Sequence, residues 1–146
     1  MKNSTEILNA CKELEIKARI LSKEDSRNII TETIRKYNVN KITGHLSIHN
    51  NSYTLPIEDY EFTYSLNLNE EPVYMFFDQN NINKNDVVLI NDGRKVCKIM
   101  ENTYGMEYFL SNIELDFLIT VNWYVLEGSG SVIDWIKGYG GVKSQD

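Results

Sequence analysis

The feature of this sequence that most constrains its fold is a series of short apolar or alternating runs between residue 45 and residue 128. Asparagine, aspartate, glutamate and proline residues interrupt the series at short intervals. Short runs bounded by such residues are typical of β-strands joined by turns. We therefore predict strands over residues 45–50, 52–57, 61–68, 72–79, 86–92, 106–111 and 123–128.

The N-terminal part of the chain has a helical periodicity instead. A stripe of apolar residues at alternating spacings of four and three predicts one amphipathic helix over residues 3–21. Ser22, with Asp25 three residues later, has the pattern of a capping box and predicts a second helix that ends in the 38–40 region. Further short helices are predicted over residues 96–103, after Ser111 or Asn112, and after Ser131.

This order of elements predicts the fold class. Two helices come first, strands follow, and short helices then alternate with the later strands. The order predicts an α+β fold in which N-terminal helices pack on a largely antiparallel sheet, with short helices between the later strands. A length of 146 residues predicts a single domain over residues 1–146, with a loose tail from about 139 to 146.

The termini and the cysteines predict the compartment. The N-terminal segment carries charges throughout and lacks the uninterrupted apolar region of a signal peptide. The apolar stretch at residues 117–121 is far shorter than the about 20 residues of a membrane-spanning helix. Cys11 and Cys97 have no paired spacing, which favours buried free thiols in a reducing compartment. We expect a soluble, cytoplasmic protein with no membrane partner.

Motifs for catalysis are not found. His45 and His49 would lie about 13 Å apart on one face of a strand, too far to share a metal ion. Glu127 and Asp134 form one of several carboxylate pairs, which are typical of solvated turns as well as of glycosidases. We predict no catalytic residue, no metal ligand and no cofactor. Two alternatives stay open: a small hydrolase or transferase with a Cys97 or carboxylate centre, and a small-ligand-binding domain.

Charge is distributed unevenly along the chain. The net charge is −6 and no basic stripe offsets it, which excludes nucleic acid as a direct ligand. Residues 42–82 contain no lysine or arginine but six carboxylates and several tyrosines. This pattern has two interpretations: solubility, or a docking surface for a basic protein. The predicted partner-binding residues are Glu58, Asp59, Tyr60, Glu61, Tyr64, Glu70, Glu71 and Asp78.

The run EYFLSNIELDFLITVNWYVLEGSG, residues 107–130, resembles small bacterial immunity-type proteins of polymorphic or contact-dependent toxin systems. The resemblance implies an acidic, cytoplasmic α+β protein without catalytic residues. Tyr124 stands where such proteins are expected to have a histidine after the Asn-Trp pair, and no functional residue is carried over. The leading hypothesis is a non-enzymatic immunity protein that occludes a basic toxin domain, with a nuclease as the expected class. The oligomeric state is left open.

Overall fold

A computed structural model describes residues 1–145. The helices of these residues are α1 (Asn3–Glu13), α2 (Lys23–Tyr37), α3 (Ile57–Tyr60), α4 (Val96–Met100) and α5 (Ile133–Gly138), with 3-10 turns at Tyr64–Asn67 and Gly93–Lys95. The strands are β1 (Ala18–Ile20), β2 (Ser52–Pro56), β3 (Val73–Phe77), β4 (Val87–Ile90), β5 (Tyr108–Asn112), β6 (Phe117–Val121), β7 (Val125–Gly130) and β8 (Val142–Lys143).

All of these strands form one eight-stranded sheet in the order β1-β4-β3-β5-β6-β7-β2-β8. Every neighbouring pair is antiparallel. The predicted α+β class is therefore confirmed, with N-terminal helices that precede an antiparallel sheet. The two edge strands, β1 and β8, have only three and two residues, and such short edges offer little template for pairing with other chains.

The sheet is covered on both faces, and this explains its long apolar runs. On β3, β5 and β6 the residues Met75, Leu110 and Ile119 point to one core, which they share with α1, α4 and α5. The alternate residues face a second core, where the rings of Phe76 and Phe109 stack at 4.7 Å beneath α2. Strands buried on both faces read as continuous apolar runs rather than as a clean alternation.

The boundaries of α2 agree with the sequence pattern. The Ser22 hydroxyl accepts a hydrogen bond from the Asp25 amide at 3.1 Å, which satisfies one free donor of the first turn. Asn38 ends the helix in the left-handed conformation with φ +47°. Across residues 1–145, no helix combines the length and the apolar character that a bilayer crossing needs.

The first predicted helix is too long. The chain leaves the helix after Glu13, and Glu15 adopts φ +58°, which an α-helix cannot contain. Residues 18–20 pair with β4 instead, with Arg19 opposite Leu89. The spacing of Ala18 and Leu21 fits the apolar stripe of a helix. A strand of three residues is too short for periodicity to distinguish it from such a stripe.

Two predicted strands are wrong for a backbone reason. In residues 45–50, His45 and His49 have φ +56° and +53°, so this segment is a loop with a single bridge between Lys41 and Ser47. Residues 61–68 form a turn and a 3-10 helix that follow α3. The aromatic and polar residues alternate as in a strand, but the backbone is helical. Tyr64 and Leu68, four residues apart, therefore both enter the core.

The helix predicted after Ser111 or Asn112 is also wrong. The Asn112 side chain accepts a hydrogen bond from the Asp116 amide at 2.8 Å and so caps a tight turn, in which Leu115 has φ +57°. Residues 117–121 then form β6 at the centre of the sheet. Residues 128–130, predicted as a turn, belong to β7.

The predicted loose tail is ordered in part. Val142 and Lys143 pair with β2, and the Ser144 amide donates to the Ser52 carbonyl at 2.9 Å. A tail that adds an edge strand is tied to the sheet by backbone hydrogen bonds. The prediction for Asp146 lies outside the described residues.

Candidate functional site

One end of the sheet carries a group of exposed aromatic side chains. At this end β3 finishes at Phe77, opposite the first residue of β5, Tyr108. The aromatic residues are Phe62, Tyr104, Trp123 and Tyr124, exposed by 45, 99, 55 and 69%. We call this the aromatic end. Because single exposed apolar residues are common but grouped ones are not, the cluster points to a binding surface.

Hydrogen bonds to backbone amides fix the segments that expose three of these side chains, Tyr104, Trp123 and Tyr124. Trp123 and Tyr124 lie in the turn between β6 and β7, where the Asn122 side chain accepts hydrogen bonds from the amides of Tyr124 (2.8 Å) and Val125 (2.9 Å). The Tyr104 amide donates to the carboxylate of Glu6 on α1 at 2.7 Å. Asparagine side chains form such turns readily, which explains a tight connection between two buried strands.

A hollow lies between the aromatic side chains. Its volume is about 190 Å³, and Phe62, Tyr104 and Trp123 line its mouth. The Trp123 ring covers Gly105, because a Cβ added to Gly105 would lie 3.4 Å from Trp123 Cζ3. The apolar floor consists of Ile57, Met100, Met106 and Val121. We call this site the Trp123 hollow.

The charge of the hollow is one-sided. Its charged lining residues within the described chain are Glu61 and Glu101, and none of its described lining residues is lysine, arginine or histidine. A wider groove of about 560 Å³ shares Phe62 and Glu101 with it and continues along α4. That groove holds basic side chains, those of Arg94, Lys95 and Lys98. The groove thus mixes these three basic residues with the acidic Asp92 and Glu101, whereas the described charged residues of the hollow are all acidic.

Four of the predicted partner-binding residues lie near this hollow. Glu58 and Asp59 are exposed on α3, directly after β2. Glu61 follows on the same turn and lines the hollow. Tyr60 is half-buried, and its ring lies 5.2 Å from that of Tyr139. The structure therefore brings part of the predicted set to one place.

The other four residues are elsewhere. Tyr64 is fully buried and cannot touch a partner, which corrects the prediction that it is a surface anchor. Glu70 pairs with Arg94 at 3.4 Å, and Glu71 accepts from the Asn112 side chain at the opposite end of the sheet. Asp78 accepts from the Gly44 amide at 2.7 Å. Since β3 separates Glu71 from Asp78 by roughly 20 Å, the acidic segment is not one surface.

Some carboxylates instead hold a loop. Residues 38–51, which we call the clamped loop, cross the face of the sheet that α2 covers. Glu107 accepts hydrogen bonds from the amides of Leu46 (2.9 Å) and His45 (3.3 Å). Glu127 accepts from the amides of Ile48 (2.8 Å) and His49 (2.7 Å). The backbone amides of this loop thus donate to carboxylates, where the amides of a strand would donate to the carbonyls of a neighbouring strand.

Glu127 is the most enclosed of these groups. It is buried in β7, and the hydroxyls of Ser52 and Ser144 also donate to its carboxylate. The sequence pattern predicted a pair of Glu127 with Asp134, but Asp134 is exposed on α5 and accepts no such hydrogen bond from residues 1–145. The signal that could have found its role is a lone acid within an otherwise apolar, buried strand.

Cys97 lies in a buried polar cluster behind the hollow. The residue is 3% exposed, and its thiol donates to the Glu61 carbonyl at 3.3 Å and accepts from the Ser65 amide at 3.4 Å. Burial raises the pKa of the Cys97 thiol. The hydroxyls of Tyr64 and Tyr108 meet at 2.6 Å beside it, and burial raises the pKa of both. His45 and His49 belong to the clamped loop on the other face of the sheet.

These surroundings predict an inert thiol. At about pH 8, iodoacetamide should label Cys97 and Cys11 of the native protein at least about 100-fold more slowly than in the urea-unfolded chain. The reason is the scarcity of thiolate, since burial also raises the pKa of Cys11 to about 11. Mass spectrometry of timed samples measures both rates. Labelling of native Cys97 at the rate of a free thiol would favour an enzyme centred on it.

Within residues 1–145, no group of three or more histidine, cysteine, aspartate or glutamate side chains is arranged to hold a metal ion. The hollow combines exposed aromatic rings and an apolar floor with the carboxylates of Glu61 and Glu101, which form no ion pair within the described residues. Comparison of this chain with protein-family models, with curated proteins and with solved structures finds no match in any of the three.

Proposed function

We propose that this protein is a non-enzymatic, cytoplasmic binding protein of the immunity type, which uses its aromatic end to occlude a basic protein partner. The expected partner is a toxin domain, and the expected toxin activity is that of a nuclease. One observation carries the proposal: exposed aromatic side chains surround a hollow in which Glu61 and Glu101 are the charged lining residues of the described chain.

The composition of the aromatic end fits a protein interface. Tryptophan and tyrosine are enriched at interface centres, because each buries a large rigid surface at a small entropic cost. Trp123 has the position of an anchor, since it stands at the mouth of the hollow and still exposes more than half of its surface. Carboxylates beside it would attract a cationic partner and raise the association rate.

The alternatives find less support. A small-molecule site is usually a pocket of about 300–1,000 Å³, and the Trp123 hollow has about 190 Å³. The larger groove along α4 is open, and exposed side chains such as Phe62, Leu66 and Lys98 line it beside the buried Ser65, Asp92 and Cys97. An enzyme centred on Cys97 would need an accessible thiolate, whereas the thiol is buried and its pKa is raised.

A nuclease is the partner class that the charge favours. Nucleases bind phosphate through lysine and arginine side chains, and these attract an acidic protein as they attract nucleic acid. With a net charge of −6, this chain is repelled by nucleic acid itself. An acidic surface seated on the basic cleft of the toxin would exclude the substrate without any chemistry.

The test is capture from lysate of the source at low salt, followed by elution with a salt gradient. The wild-type protein should retain one basic polypeptide at near one-to-one stoichiometry, and the nuclease activity of that polypeptide should be blocked by the wild type. Trp123→Ala should weaken the complex by about 30-fold or more, the effect of losing a hot spot. Glu61→Lys with Glu101→Lys should slow association and reduce its salt dependence.

Matched controls lie at the opposite end of the sheet. Ile113 and Glu114 are exposed in the turn between β5 and β6. Ile113→Ala and Glu114→Lys therefore repeat the same kinds of change away from the hollow and should behave as wild type. If Trp123→Ala retains the partner as well as the wild type does, the aromatic end is not the interface.

A further inference from the structure

We propose that the Trp123 hollow is a socket for one arginine side chain of the partner. This inference rests on the proposed function and deepens it, because it names the chemical group that the site recognises. Four observations lead to it: the aromatic mouth, the apolar floor, two carboxylates that bind nothing within residues 1–145, and the size of the hollow.

The aromatic mouth suits a cation. Phe62, Tyr104 and Trp123 all line it, and the Trp123 ring lies against Gly105, whose φ is +87°. A guanidinium over a tryptophan face is attracted by the negative face of the ring, and tryptophan gives the strongest such interaction. Arginine also stacks its plane on aromatic rings, which the compact ammonium of lysine does not do.

The apolar floor suits the stem of the same side chain. Met100 and Met106 are nearly buried and present flexible thioether side chains to the hollow, together with Val121. The methylene groups of arginine bury readily against such a surface while the charged head stays near the mouth. Methionine adapts its shape to an entering group at little cost.

The carboxylates of the hollow are available, whereas their neighbours are not. Glu6 accepts from the Tyr104 amide, and Glu107 accepts from the clamped loop. Within residues 1–145, the carboxylates of Glu61 and Glu101 accept no hydrogen bond and lie in no ion pair; the carboxylates that do form ion pairs there are Asp86, Glu70 and Asp92. Each can therefore accept the N–H groups of a guanidinium, which match carboxylate geometry.

The size of the hollow limits the ligand to one side chain. A volume of about 190 Å³ admits a single long side chain but no peptide segment and no nucleotide. The groove along α4 begins at the same Phe62 and carries Arg94, Lys95 and Lys98. Lys95 and Lys98 form no ion pair within residues 1–145 and would repel a second basic side chain, whereas Arg94 is paired with Asp92 and Glu70.

The experiment uses a capped pentapeptide, acetyl-Gly-Gly-Arg-Gly-Gly-amide, and two-dimensional 1H–15N NMR of the uniformly labelled protein. The chain has two tryptophans, so the indole N–H of Trp135 serves as an internal reference for that of Trp123. The arginine peptide should shift the Trp123 indole and the Gly105 amide in a saturable way, with a dissociation constant on the order of 1 mM. The Trp135 signal should not move.

Three comparisons make the test specific. A peptide with citrulline, the uncharged analogue of arginine, should give no saturable shift, and a lysine peptide should bind at least about threefold more weakly. Glu61→Gln with Glu101→Gln should weaken binding of the arginine peptide by about tenfold, and Trp123→Ala should abolish it. The amide spectra show whether each variant is folded. If Trp123→Ala does not fold, the glutamine variant still tests the socket.

Several results would overturn the socket. These are shifts of equal size with citrulline, equal binding of lysine, or shifts that spread over the whole surface without saturation. The two proposals can fail separately. If the peptide does not bind while capture of the partner still requires Trp123, the proposed function stands and the socket falls. If the peptide binds but no partner is captured, the socket stands and the proposed function falls.

Discussion

A Gly130→Ala chain is expected to lose about 3 kcal/mol or more of its free energy of unfolding. Gly130 has φ +78°, and it pairs with Phe117, the first residue of β6. A Cβ at this position would lie 2.3 Å from the Asp116 carbonyl oxygen and 2.9 Å from the Phe117 Cα. Both atoms belong to the backbone, so neither can move without separating β6 from β7.

The matched control is Gly140→Ala. Gly140 has φ +89°, and a Cβ added there meets nothing within 4 Å. This substitution should therefore cost only the backbone strain, about 1 kcal/mol. Urea unfolding followed by circular dichroism measures both values from the shift of the midpoint. If the two alanine variants lose the same stability, the close backbone contacts with Asp116 and Phe117 are not the reason that position 130 requires glycine.

The second large effect is expected for Glu127→Gln. The glutamine has the same shape, but its amide nitrogen is a donor where the carboxylate oxygen was an acceptor. At least one of the amides of Ile48 and His49 would then face another donor in a buried site. A buried donor without a partner costs about 1–3 kcal/mol, and the two hydroxyls that share the carboxylate raise the total loss to about 3–4 kcal/mol.

Hydrogen exchange locates this effect as well as measuring it. In the Glu127→Gln protein, the amides of Ile48 and His49 should exchange at least about tenfold faster, while those at the centre of β5 should change only with global stability. Glu114→Gln is the control, because Glu114 is exposed in a turn. Unchanged protection of Ile48 and His49 would mean that the carboxylate does not hold the clamped loop.

Most of the strands could be predicted from the sequence, because β3, β4, β5 and β7 are bounded by residues that form turns. The failures have a common cause. Residues 117–121 are as apolar as a buried helix, and only the turn made by Asn112 and Asp116 excludes that reading. The pattern of residues 45–50 alternates like a strand, yet its amides donate to carboxylates from distant parts of the chain. Contacts between residues far apart in the chain produce no periodic pattern in the sequence that could reveal them.

The candidate site was only partly predictable for the same reason. Glu61 was in the predicted set, but Glu101, Tyr104 and Trp123 come from other segments and meet it only in the folded chain. The local signal for one of them was present, since Asn122, Trp123 and Tyr124 stand between two apolar runs where a turn is required. Large aromatic residues in such a turn cannot be buried by their own strands. The count of charges along the sequence indicated an acidic surface but did not indicate where in the fold that surface would lie.

The strand order has a consequence for how the chain reaches this state. Strands β5, β6 and β7 are consecutive neighbours, so they form a meander from local contacts, whereas β1 and β2 join through long loop closures. Short loops close at a smaller entropic cost and therefore earlier in folding. We expect the Trp123 turn to form with that early meander, whereas Ile57 of the floor and Tyr104 of the mouth join it only when later segments dock. We therefore expect the proposed recognition surface to assemble last, so that a partly folded chain displays Trp123 without the rest of the hollow.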